Sequence, residues 1–232
     1  MRPHLSLIFP CFNEETSVHS LLGEALRFKK SHPDLPVEIV VVDDGSTDQT
    51  ARHLEDFAEQ VHVIRHTENK GYGAALKTGL FYSRGENVAF MDFDGTCSVH
   101  ESRHLLETLR TKNADMVMGF RLHEDSKMPS TRRLGNSVYR LLLKALYFDR
   151  ETLPRDVCTG FRVLKKGVAE DLFDDLPDDL SFSPALTAKA LKKRYVLVDH
   201  KISYNERAGR SKISLIKDGL KFGGVMIQRR LF

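Results

Sequence analysis

Apolar positions recur along the chain in two alternating rhythms. Short runs of branched and aliphatic residues at 4–10, 37–42, 61–64 and 88–91 have the length and continuity of buried strands. Between them the spacing lengthens to helical. Val18, Leu21, Leu22, Ala25, Leu26 and Phe28 mark one helix, a second covers about 49–59, and a third runs to about Ser83. Strand and helix alternate four times with short links, which predicts a parallel sheet with right-handed crossovers. The second half is less regular. It predicts helices near 98–111, 134–148, 167–175 and 182–192, strands at 115–119, 156–164 and 195–198, and a tail helix over 213–232 with a basic side. The expected fold class is α/β, with a mostly parallel central sheet flanked by helices.

Carboxylates and small residues stand where these runs end. Val88–Met91 leads straight into Asp92-Phe93-Asp94-Gly95-Thr96. Residues two apart in an extended chain point the same way, so Asp92 and Asp94 converge at the end of a core strand. Open α/β sheets bind ligands at that edge. Paired hard oxygens suit Mg2+ or Mn2+ already carrying phosphates. The second strand ends in Asp43-Asp44-Gly45-Ser46, which also reads as a capping turn. Asn13 is a plausible helix cap, with glutamates following in the first turn. Lys70 and Gly71 open a glycine-rich helix start of the kind that suits an anion.

Composition narrows the picture only a little. The 232 residues allow one large α/β domain. Lys plus Arg exceeds Asp plus Glu by three, 35 against 32, which argues against a nucleic-acid partner. Three separated cysteines, Cys11, Cys97 and Cys158, suggest a reduced cytoplasmic setting and pack as small apolar residues. The first apolar run is short and shows no targeting pattern, and none reaches the ~18–20 residues of a membrane span. Ten histidines show no ligand spacing, so no zinc site is expected. The Leu141, Leu142, Leu143 and Leu146 cluster reads as core.

Taken together, FPCFNEE at 9–15, VVDDGSTD at 41–48, NKGYGAAL at 69–76, MDFDGT at 91–96, GFR at 119–121, DVCTGFRVL at 156–164 and ERAGRSK at 206–212 resemble the inverting family 2 glycosyltransferases of GT-A fold. The nearest branch in appearance is the polyprenyl-phosphate hexosyltransferases. Phe93 and Thr96 depart from the family pattern, where a small residue and a glutamine or histidine are common.

The resemblance implies a single Rossmann-like domain over 1–212, with a nucleotide-sugar half (1–96) and an acceptor half (97–212), followed by a basic amphipathic helix at 213–232. It implies a GDP- or UDP-hexose donor held by Pro10, Asn13, Glu15, Asp43, Asp44, Gly45, Ser46, Lys70 and Gly71. Asp94 would bind the cation directly, and Asp92 would hold the ribose or a metal-bound water. Arg121, Arg133, Arg207 and Lys212 match positions on the acceptor side. Arginine suits a phosphate acceptor such as dolichyl or undecaprenyl phosphate, because it holds phosphate in a fork. A phosphate monoester is already an anion near neutral pH, its second pKa being ~6, whereas a hydroxyl acceptor needs a general base. Asp156 would be that base or would orient an arginine. Peripheral contact through the tail at the cytoplasmic face of a membrane follows from a lipid acceptor. A hydroxyl acceptor, or donor binding without turnover, remain alternatives.

Overall fold

The computed structural model describes residues 3–124, 126–150, 152–205 and 217–231. Its first half follows the predicted alternation: β1 (Leu5–Cys11), α1 (Val18–Ser31), β2 (Val37–Asp43), α2 (Thr50–Glu55), β3 (His62–Arg65), α3 (Tyr72–Tyr82) and β4 (Asn87–Phe90). Then come α4 (Glu101–Thr111), β5 (Met116–Phe120), α5 (Ser130–Leu146), β6 (Arg162–Lys165), α6 (Lys166–Phe173), α7 (Phe182–Lys192), β7 (Leu197–Lys201) and α8 (Lys217–Leu231). Seven strands form one sheet in the order β3-β2-β1-β4-β6-β5-β7. All run parallel except β6, which is antiparallel to both β4 and β5.

Alternation along the central strands divides the core between the two faces of the sheet. Leu5, Leu7, Phe9, Ala89, Met91 and Phe93 pack with α1 and α4 on one face. Ile8, Val40, Val88 and Phe90 pack with α3, α6 and α7 on the other. Helix α7 lies under this second layer and is buried along almost its whole length, as its apolar composition requires. A third cluster joins α5, α7 and α8 through Leu143, Tyr147, Ala188, Leu191 and Met226.

Three sequence expectations shift. The run 156–164 forms a strand only from Arg162, because Val157 to Phe161 makes a loop held by side-chain hydrogen bonds. Within the leucine cluster Leu143 is fully buried but Leu141 is exposed, so α5 turns part of that stretch to solvent. Asn13 does not cap α1, which begins at Val18. It adopts a left-handed conformation (φ 50°), and its side chain bonds the backbone N–H of Thr47 at 2.8 Å. Asparagine tolerates this conformation better than most residues.

Candidate active site

The carboxyl ends of β1 and β2 are tied together by polar groups. Asp44 accepts hydrogen bonds from the backbone N–H groups of Lys70 (2.9 Å) and Gly71 (2.8 Å) and lies 2.6 Å from His66 Nδ1. It thereby anchors the start of α3 to the end of β2. Gly71 is required here, since its φ is +102° and a Cβ would stand 2.4 Å from the Asp178 carbonyl oxygen. Lys70 is exposed. Gly45 (φ +71°) passes equally close to the backbone of Glu68. Ser46 donates its backbone N–H to Asp43 Oδ1 at 2.9 Å, and its hydroxyl accepts from Asn13. Asp43 Oδ2 is buried and makes no aligned hydrogen bond, although Arg65 Nε stands 3.3 Å away. Glu15 turns from this edge and accepts from the Gln49 backbone N–H at 2.9 Å, at the start of α2.

Asp92 and Asp94 follow the end of β4, with Phe93 between them in a turn. Phe93 packs edge-on against Phe9 with ring centroids 5.9 Å apart. The large residue between the two carboxylates is therefore anchored in the core, and it also borders the cleft that they line. Thr96 donates to Asp94 Oδ1 from both its backbone N–H (3.1 Å) and its hydroxyl (2.7 Å), which fixes the carboxylate. Asp92 lies against Gly160, where a Cβ would stand 2.3 Å from its Oδ1. Tyr72 has its hydroxyl buried near Asp92 and Ser183 without an aligned partner. Burial, and then the Asp92 charge, push its pKa well above the usual value. Burial likewise pushes the Cys97 and Cys158 thiols up to about 12, so both stay protonated.

On the acceptor side one ion pair dominates. Asp156 is fully buried and accepts from Arg121 Nε (2.8 Å), Arg121 Nη2 (3.0 Å), the Arg121 backbone N–H (3.2 Å) and Asn136 Nδ2 (2.5 Å). Burial alone would lower the Arg121 pKa, but Asp156 more than reverses it, and Arg121 stays charged. Its guanidinium stands 5.6 Å from the centre of the Tyr204 ring. Arg133 does not reach outward as a phosphate ligand would. It folds back and donates to the carbonyls of Met128, His123 and Ser126, holding the loop before α5. Arg162 is fully buried on three carbonyls, those of Thr159, Val157 and Ser183. Burial lowers its pKa to about 10. Arg207 and Lys212 lie outside the described residues.

Asp199 on β7 accepts from the Arg155 backbone N–H at 3.0 Å, yet its Oδ1 is buried without an aligned partner. Burial raises its pKa from 3.8 to about 6. The fold holds this proton more tightly than the unfolded chain does, so stability falls as pH rises through about 4 to 6. Asp199→Asn keeps an acceptor for Arg155. It is expected to raise stability at pH 8 by at most about 3 kcal/mol, and to change nothing at pH 3. Urea melts at the two pH values check this; an equal effect at both would contradict the assignment.

These elements enclose a cleft of about 470 Å³. Pro10, Asp44, Gly71, Asp92 and Asp94 line it, together with Tyr72, Gly160, Asp179, Leu180 and Phe222. Asn13, Glu15, Asp43, Gly45, Ser46, Lys70, Arg121, Arg133 and Asp156 do not; they shape the surrounding loops. The sequence reading missed Tyr72, Gly160 and the α8 contribution. Tyr72 and Gly160 sit inside quoted motifs, where a fixed glycine was the available signal. Helix α8 carries Phe222 to the cleft, and its Lys221 pairs with Asp179. Arg229 and Arg230 likewise pair with Asp175 and Asp149, so three basic residues of this helix bind the protein's own body.

The open sheet with one reversed strand, and two aspartates following a core strand at its ligand edge, agree with the GT-A fold that the motifs led us to expect. Residues 6–173 match the model of glycosyl transferase family 2, and the chain belongs to that family. Among relatives, it is 29% identical over 214 residues to an uncharacterised protein of Methanocaldococcus jannaschii, covering 87% of this chain and 89% of that one. It is 26% identical to the dolichyl-phosphate beta-glucosyltransferase of Saccharomyces cerevisiae, with coverage of 98% and 74%. To the human dolichyl-phosphate beta-glucosyltransferase it is 29% identical, covering 74% of this chain but only 58% of the human one. The fold resembles glucosyl-3-phosphoglycerate synthase of Mycobacterium tuberculosis in complex with Mn2+, UDP and phosphoglyceric acid. The TM-score is 0.78 at 18% identity, and the match covers 99% of this chain and 79% of that one.

Proposed function

We propose that the chain transfers a hexose from a nucleoside-diphosphate sugar to a polyprenyl phosphate, with Mg2+ or Mn2+ at Asp92 and Asp94. The observation that carries the acceptor assignment is the state of Asp156. Four hydrogen bonds from Arg121 and Asn136 engage both its oxygens, so it orients an arginine and is not placed to take a proton. A phosphate acceptor brings its own negative charge and needs no such base. The relatives named dolichyl-phosphate beta-glucosyltransferase agree with this reading. UDP is the favoured donor nucleotide, because the structural neighbour binds UDP with Mn2+.

The donor set fits a hard cation. Asp94 is fixed by Thr96 beside Asp92 at the cleft, and diphosphate oxygens would complete the shell. Held by Asp92 and Asp94, such a cation would supply positive charge for the departing nucleoside diphosphate. This chain's residues hold and orient the donor. Residues 1–96 serve as its half of the domain and 97–212 as the acceptor half.

Contact with a membrane rests on exposed apolar residues of two helices. Leu134, Val138 and Leu141 recur on α5, and Leu220, Ile227 and Leu231 lie on α8. The tail is part anchor and part core, since Phe222 and Met226 of the same helix are buried. No helix of the described residues is long and apolar enough to cross a membrane.

Incubation with labelled UDP- and GDP-hexoses, Mn2+ or Mg2+, and a short polyprenyl phosphate tests the reading. The expected result is label in the lipid phase, released by mild acid as a phosphate-linked sugar is. Transfer to a hydroxyl acceptor only, with an acid-stable product, would overturn the acceptor assignment. Donor binding with no transfer or hydrolysis would overturn turnover itself.

A further inference from the structure

We propose that Glu101, His104 and His200 form a second metal site, one for a divalent ion of the zinc class, apart from the donor cleft. The histidine spacing led to no zinc site being expected, but Glu101 and His104 fall on one face of α4, a turn apart. His200 is nearly a hundred residues away on β7, which packs beside α4. The fold brings one ligand atom from each residue to within 4.8 Å of the others. None of the three lines the cleft that Asp92 and Asp94 share.

The geometry is that of a prepared donor set. His104 Nδ1 and Glu101 Oε2 stand 3.3 Å apart. Two ligands of a tetrahedral ion, each ~2.0–2.1 Å from it, are separated by about the same distance. The His104 and His200 rings lie nearly parallel, with centroids 6.2 Å apart.

The outer contacts also fit. Thr108 Oγ1 lies 2.8 Å from His200 Nδ1, and when Nδ1 donates to it, Nε2 presents its lone pair. Ser203 donates to Glu101 Oε1 from its hydroxyl (3.1 Å) and backbone N–H (3.3 Å), which steadies the carboxylate. Two imidazoles and one carboxylate select zinc-class ions over Mg2+, which prefers oxygen alone. With three protein ligands, the fourth position is open to water or to a further donor.

The location gives such an ion mechanical leverage. Helix α4 begins a few residues after Asp94 and Thr96. Strand β7 leads to Asn205, whose backbone N–H donates to the Thr96 carbonyl at 2.8 Å. A bound ion would clamp together the two elements that border the Asp94 turn.

Calorimetric titration of the tag-free chain with ZnCl2, without nucleotide, tests the proposal. Visible spectra with CoCl2 report tetrahedral coordination. One zinc per chain is expected, with a rise in Tm on binding. His104→Gln and His200→Gln should each weaken binding more than ten-fold, with melting of the zinc-free variants confirming that they fold. Thr108→Val removes no ligand and should weaken binding by about ten-fold through His200 alone. Asp94→Asn should bind zinc as the unchanged chain does. Zinc affinity unaltered in both histidine variants, or lost in Asp94→Asn, would overturn the site.

Discussion

Asp94→Asn is expected to lower hexose transfer by about a hundred- to a thousand-fold while leaving the melting temperature almost unchanged. The size follows from losing a charge aimed at the leaving diphosphate, which is of the order of removing one electrostatic contact in the transition state. Stability should survive because Thr96 addresses a single oxygen, Oδ1, and asparagine retains an oxygen there. What changes is the other half of the group, where an amide replaces a carboxylate oxygen and cannot ligate a hard cation. Raising Mn2+ should recover little of the rate. Full activity in this variant at ordinary Mn2+ would remove Asp94 from the metal assignment.

The second large effect is structural. Asp156→Ala leaves the Arg121 guanidinium buried with no carboxylate, and strands Asn136 Nδ2 as well. Breaking a buried pair from one side costs about 3–5 kcal/mol, which in a chain of this size lowers Tm by roughly 10 °C. Replacing both partners with apolar residues, as in Asp156→Leu with Arg121→Met, should recover much of that loss, because no uncompensated charge remains. Thermal melts of the single and double variants separate the cases. If Asp156→Ala melts like the unchanged chain, the pair does not organise the acceptor side. The argument that Asp156 is not a base would then fall with it.

Much of this was legible because the signals were local. The apolar runs ending in Asp43-Asp44 and in Asp92-Phe93-Asp94 showed both the strands and their ligand ends. The strand β4 stops at Phe90, so Asp92 and Asp94 meet at the cleft through a turn and not through the two-residue strand repeat. Phe93, which departs from the family pattern, is anchored by packing on Phe9 and also borders the cleft beside the two carboxylates. The direction of β6 was not legible, because a buried strand has the same apolar run whichever way it travels.

Charged side chains were the least readable. Arg121, Arg133 and Arg162 look alike in sequence. One pairs with Asp156, one holds a loop by three carbonyls, and one is sealed in the core. Their partners are mostly backbone carbonyls, which leave no mark in the sequence. Glu15, expected among the residues that hold the donor, bonds the Gln49 backbone N–H, a side-chain direction that the sequence does not show. The α8 helix was expected from its periodicity. Its docking against α5 and α7 depends on which of several apolar residues faces inward, and Gly219, Gly223 and Gly224 weaken that periodic signal.

The account rests most heavily on Asp92 and Asp94 joining a divalent cation to a nucleoside diphosphate in the cleft. Calorimetric titration of the intact chain with UDP, in the presence and absence of Mn2+, measures that linkage directly. The account predicts that Mn2+ strengthens UDP binding at least ten-fold, and that Asp94→Asn abolishes the gain. Equal UDP affinity with and without Mn2+, or a gain that persists in Asp94→Asn, would contradict it.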